Sequence, residues 1–169
     1  RSGGTLERLL TTPLGRGDLL VGYALAFGLV AILQTALASG VALGLLGLDL
    51  AAGPSLVVLL AVLDALLGMA LGLFLSAFAR TEFQAVQFLP AFVLPQLLLC
   101  GLFAARATMA APLRWLSDVF PLTYAVDGMQ ELTRTAAVTG HLAWDLAVVA
   151  GASVLCLALG ALTLRRRTS

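Results

Sequence analysis

Asp64 is the first residue whose chemistry stands out: it is the one charge in the apolar run from Ser55 to Ala79. A charge near the middle of a membrane-crossing helix costs about 2.5–3.5 kcal/mol on insertion scales. One reading makes it a substrate or proton contact in a central path. The other makes it a protonated or hydrogen-bonded aspartate facing neighbouring helices, near Gln34 or Thr35. Gln84, Gln87 and Gln96 share the next apolar run with Pro90 and Pro95. Amides beside a deformable backbone fit either the lining of that path or interhelical hydrogen bonding. On the path reading, its lining would be Asp64, Gln84, Gln87, Pro90 and Pro95.

Other reactive side chains assemble into no recognisable machinery. His141 is the sole histidine and has no His or Cys at ligand spacing, so no metal site is expected. It reads instead as a helix-start residue with Asp145 one turn away. Cys100 and Cys156 lie at different depths of separate apolar runs, so buried thiols are expected, not a disulfide. One histidine and scattered hydroxyls supply no nucleophile–base pair, so no catalytic residue is assigned. No GxxxxGK[ST] phosphate loop is present and the sequence contains no lysine. ATP, if it is used, must bind elsewhere, and no cofactor is expected on this chain.

The elements that hold these residues are legible from composition. Hydrophobic residues make up 60% and charged residues 11%, against about 25% charged in ordinary globular domains. Mean hydropathy is +1.02. A spanning helix needs about 20 apolar residues, and four runs qualify: approximately 19–47, 55–79, 83–105 and 142–164. None alternates as a β-barrel strand would. The expected fold is an all-α polytopic membrane protein with about four transmembrane helices. Gly40 with Gly44, and Gly68 with Gly72, form GxxxG pairs suited to close helix packing, within the chain or across a dimer.

Orientation follows from the arginines. With both ends cytoplasmic, the inside holds Arg1, Arg8, Arg16, Arg80 and Arg165-Arg166-Arg167, and the outside only Arg106, Arg114 and Arg134. That satisfies the positive-inside rule, and the inverse violates it. Trp144 and Tyr124 then fall near the outer interface. Residues 106–141 are too polar to span. Leu113, Leu116 and Phe120 form one stripe, Pro121 ends that segment, and Thr123 is expected to cap a second short helix reaching Arg134. Two short extracytoplasmic amphipathic helices are expected there.

The opening differs again. Leu6, Leu9 and Leu10 fall on one helical face, with Glu7, Arg8, Thr11 and Thr12 on the other. Thr5 reads as an N-cap and Pro13 stops the helix near Thr12. Asp18 can cap the next helix. A segment of this kind lies on a membrane surface or docks on a partner. The chain begins with Arg and carries no signal peptide, so it is expected to be a fragment lacking N-terminal residues and further spanning helices.

Three segments resemble one family: Gly4-Thr-Leu-Glu-Arg-Leu-Leu-Thr-Thr-Pro13, Leu75-Ser-Ala-Phe-Ala-Arg-Thr-Glu-Phe-Gln-Ala-Val86 and Phe120-Pro-Leu-Thr-Tyr-Ala-Val-Asp127. In sequence, order and separation they are similar to the membrane subunits of ABC-2 type transporters. The resemblance covers nearly the whole chain and implies a six-helix permease of which the four runs are spans three to six. Residues 1–169 would then be one ABC-2 type transmembrane domain lacking its first two spans. Residues 1–18 would be the cytoplasmic coupling segment and 106–141 the extracytoplasmic helices.

The resemblance also implies a permease homodimer or heterodimer in the lipid bilayer, working with a cytoplasmic ABC ATPase subunit. Thr5, Leu6, Glu7, Arg8, Leu9, Leu10, Thr11, Thr12 and Pro13 would contact that ATPase. The expected activity is export of a lipophilic or amphipathic substrate across the plasma membrane, of drug, lipid or glycan class. No bond chemistry is expected in this chain, and no nucleic-acid partner. Two rivals stand beside it: a proton- or ion-coupled secondary transporter using Asp64, and a non-transporting assembly subunit.

Overall fold

The computed structural model describes residues 16–47, 51–79 and 81–166, and all regular structure in them is helical. Helix α1 spans Arg16–Gly44, α2 Pro54–Phe78, α3 Glu82–Leu99, α4 Ala111–Val119, α5 Pro121–Arg134 and α6 Gly140–Arg166, with a 3₁₀ turn at Arg106–Thr108. Among the described residues, three helices are long and apolar enough to cross a membrane: Val21–Gly44, Pro54–Phe78 and Gly140–Gly160. The opening segment Thr5–Pro13 lies outside the described residues.

The run expected to span 83–105 is a shorter helix. It starts behind Thr81, whose Oγ1 accepts from Gln84 N at 3.1 Å. This is the N-cap bond that a Thr-x-x-Gln sequence offers. It stops at Leu99 because Gly101 takes a φ of 92°, a conformation that side chains with a Cβ avoid. Its 18 residues reach about 27 Å at about 1.5 Å per residue, slightly less than the hydrocarbon core. Helix α1 already includes Arg16, so Asp18 lies within it and not at a cap.

Pro121 marks a boundary on both sides: α4 ends before it, at Val119, and α5 begins on it, so Thr123 is not the cap. It occupies the first turn of α5 with Phe120 as N-cap, where its missing N–H forfeits nothing. Thr123 is consequently inside the helix and fully buried. The stripe expected on α4 points away from the rest of the chain, as a surface helix requires. Leu113 and Leu116 are exposed, as are Trp115 and Val119, and the buried residue of that helix is Ser117.

Helix α2 is the hub. Its buried positions Val57, Leu60, Leu67, Ala70 and Ala77 follow helical periodicity and form one stripe. The corresponding stripe on α6 is Leu142, Asp145, Val149, Ser153 and Gly160. Helix α5 packs against both. Leu132 meets Val57, Leu60 and Leu142, and Ala125 meets Leu67 and Val149. Gly128 marks the closest approach: an added Cβ would stand 3.1 Å from Leu60 Cδ2 and 3.4 Å from Leu142 Cδ1.

Helix α1 joins differently. Its covered face is Gly28 and Thr35, with Ala24, Ala31, Ser39, Ala42 and Leu43 half-buried. Small side chains of this kind let membrane helices approach. Most of its large residues, among them Leu25, Leu29, Leu33 and Leu37, are exposed. The GxxxG pairs play no part in these contacts. A Cβ added at Gly40, Gly44, Gly68 or Gly72 would meet nothing within 4 Å.

Candidate functional site

Polar side chains gather in two places. The first is a cleft of about 360 Å³ between α1 and α2, lined by Ala31, Gln34, Thr35, Ala38, Ser39, Ala61, Asp64 and Ala65. Asp64 reaches it because it lies off the buried α2 stripe, and alanines on both helices leave the space open. Gln34 and Thr35, the partners expected for it from sequence, share the lining. An amide, two hydroxyls and a carboxyl inside an apolar bundle can hold a polar group or water that a lipid tail could not satisfy.

The remaining path residues are not brought to this cleft, whose walls come from α1 and α2. Gln87 and Pro90 are exposed on α3, while Gln84 and Pro95 are half-buried there. Gln96 is the buried amide of that helix, and its Nε2 donates to Phe92 O at 3.4 Å. That bond reaches back one turn, so it serves the backbone beside Pro95 and not a partner helix.

The second gathering caps the bundle where α3 ends and α6 begins. Ser117 Oγ donates to Leu99 O at 2.8 Å, and Thr123 Oγ1 donates to Ser117 O at 2.7 Å. Tyr124 Oη donates to Asp118 O at 2.9 Å. The Arg106 guanidinium bridges Asp118 of α4 and Asp127 of α5. Its methylene stem packs over Gly101, where an added Cβ would stand 3.2 Å from Arg106 Cγ. Thr123, Tyr124 and Asp127 all belong to the Phe120–Asp127 segment. The residues that marked that segment therefore tie three short elements together.

Beyond this knot, Glu131 of α5 meets the start of α6. His141 Nδ1 lies 3.2 Å from Glu131 Oε2 and 3.1 Å from Asp145 Oδ2. Sequence spacing pairs His141 with Asp145 but gives no sign of Glu131, which arrives from another helix. Cys100 is buried, Cys156 half-buried, and both are free.

Long apolar helices, a polar cleft between two of them and a polar cap at one end define a multi-pass helical membrane protein. The chain belongs to the ABC-2 type transporter family, which it matches over residues 1–133. It is 26% identical over 165 residues to a protein named "Probable multidrug ABC transporter permease YbhS" in Escherichia coli strain K12, and equally to its counterpart in Escherichia coli O157:H7. Each match takes in 97% of this chain and 44% of the relative. The chain therefore spans less than half the length of the curated relatives it matches. No solved structure matches it.

Proposed function

We propose that this chain forms part of the membrane subunit of an ATP-driven exporter, working as a homodimer or heterodimer with cytoplasmic ABC ATPase subunits. The observation that carries this reading is the ABC-2 type transporter match over residues 1–133. The relative's description as a multidrug permease favours a lipophilic or amphipathic substrate. Lacking a phosphate loop and any lysine, the chain would take its power from a partner. Leu6, Leu9 and Leu10 would press into a groove on that partner, with Glu7 and Arg8 on its polar rim. Both ends of the chain would be cytoplasmic, and residues 106–141 would form a lid over the exit.

The test is purification of the full-length protein from native membranes, with and without Leu6→Asp plus Leu9→Asp. A P-loop ATPase is expected to co-purify with the unaltered protein and to be lost from the variant, together with transport. An ATPase that stays bound to a variant still exporting substrate would refute the docking role.

The cleft at Asp64 supports a polar contact on the path. Asp64→Asn is expected to reduce transport while the dimer and its ATPase remain assembled. The same cleft is what favours the rival reading of a proton- or ion-coupled carrier. The two part on energy source: export that persists after ATP depletion and stops when the ion gradient is collapsed favours the carrier.

A further inference from the structure

We infer that Glu131, His141 and Asp145 form a binding site for a divalent transition-metal ion of the zinc class, linking α5 to α6. One nitrogen and two carboxylate oxygens, all within 4.8 Å of one another, converge here. A tetrahedral zinc site with bonds of about 2.0–2.2 Å places its ligand atoms about 3.3 Å apart. The His141 Nδ1 atom stands 3.2 Å from Glu131 Oε2 and 3.1 Å from Asp145 Oδ2.

The independent observation is the state of Asp145. Its side chain is 1% exposed, and both of its carboxylate oxygens lack a hydrogen-bond partner. His141 does not resolve this. The ring offers at most one proton at Nδ1, which faces both Glu131 Oε2 and Asp145 Oδ2, so it serves one carboxylate at a time and leaves Asp145 Oδ1 without a partner. Asp127 and Glu131 add like charge near Asp145. A buried carboxylate without a hydrogen bond is costly, and a dication among three ligand atoms would satisfy both carboxylates together.

The surroundings are those of a built site. Thr139 Oγ1 donates to Glu131 Oε1 and accepts from Leu142 N at 3.1 Å. The cap of α6 thereby holds one oxygen of Glu131 and leaves Oε2 aimed at the histidine, the kind of outer support that metal ligands receive. The end of α5 is held too, since Leu132 O accepts from Ala52 N at 3.1 Å and Glu131 O from Thr135 N at 2.9 Å. His141 and Asp145 are four residues apart on one helix face. His141 is 66% exposed and Glu131 19%, so an ion can enter from solvent with Asp145 as the floor. Three protein ligands leave a fourth position for water.

The experiment uses the full-length protein in detergent, stripped with a chelator and titrated with zinc chloride by calorimetry. Cobalt(II) replaces zinc in a second titration read by visible absorption. One ion per chain is expected, with a tetrahedral cobalt spectrum and a rise in thermal unfolding temperature. His141→Ala and Glu131→Gln should each weaken binding more than about tenfold and abolish the rise. Neither residue lies in the packed core, so both variants should fold. Asp145→Asn tests the buried ligand in the same way. Binding that does not saturate, or that persists unchanged in His141→Ala, would overturn the site.

Discussion

The crossing at Gly128 sets a sharp limit on what α5 can carry. Gly128→Ala would place a Cβ 3.1 Å from Leu60 Cδ2, 3.4 Å from Leu142 Cδ1 and 3.6 Å from Asp145 Cβ. Carbon atoms rest at about 3.5–4.0 Å, so Leu60 must retreat by about 0.4–0.9 Å. Leu60 is 0% exposed and Leu142 1%, and both belong to the cluster with Val57 and Leu132. Both neighbours are buried in that cluster, so strain of about 1–3 kcal/mol is expected, larger than the ~0.5–1 kcal/mol that Ala gains over Gly inside a helix. In a chain of this size that is a fall of several degrees in unfolding temperature. Leu60→Ala alone should cost about 2–5 kcal/mol through the cavity it opens. The new methyl partly fills that cavity, so the double variant should be more stable than the sum of the two losses by at least about 1 kcal/mol. The assay is thermal unfolding of the detergent-solubilised protein for all four members of the cycle. An unfolding temperature for Gly128→Ala equal to that of the unaltered protein, or strict additivity in the double variant, would refute this packing.

Further expectations concern the cap and the α1 seam. Thr123→Val should destabilise by about 1 kcal/mol, the low end for a buried hydrogen bond, because Ser117 O still accepts from Phe120 N at 3.0 Å. Thr123→Ser should restore most of it in the same melting assay. Arg106→Ala should cost about 1 kcal/mol, since its two ion pairs are partly exposed. Arg106→Lys should recover less than half, because an ammonium cannot fork between Asp118 and Asp127; melting curves at low and high salt check both. Gly28→Ala should be nearly neutral, its nearest contact being Leu66 Cδ2 at an ordinary 3.6 Å. Gly28→Leu should separate α1 from α2 and increase the fraction of aggregated protein in size-exclusion chromatography.

Helix type and the approximate spans were legible because long uncharged runs admit few alternatives in a bilayer. The proximity of Gln34 and Thr35 to Asp64 was legible too, as polar residues at matching depths of consecutive helices have few other partners. What failed were caps and cross-helix contacts. Pro121 serves both as the stop of α4 and as a first-turn residue of α5, so the cap falls on Phe120 and not on Thr123. The stripe on α4 was legible as the face of a surface helix, but Ser117, which faces inward, carried no signal in the sequence. Glu131 was invisible beside His141 because their approach depends on how α5 folds back against α6.

Packing is distributed so that the two halves of the bundle differ in how readily they can move. At the cap, large side chains interlock across three helices: Leu60 from α2, Leu132 from α5, Leu142 from α6. Directional bonds from Ser117, Thr123 and Arg106 add to them. Separating these elements would expose apolar surface and strand buried polar groups together, so they resist displacement as a unit. The α1–α2 seam has neither restraint. Its contact face is made chiefly of small residues, which interdigitate little, and most of its large residues point outward. A cleft of about 360 Å³ already parts the two helices around Asp64. Of the helices that meet α2, α1 is the one that approaches it chiefly through small side chains. Their seam also holds the intramembrane carboxyl. A change in the position of α1 would alter the surroundings of Asp64, because that helix supplies Gln34, Thr35 and Ser39 to the same cleft.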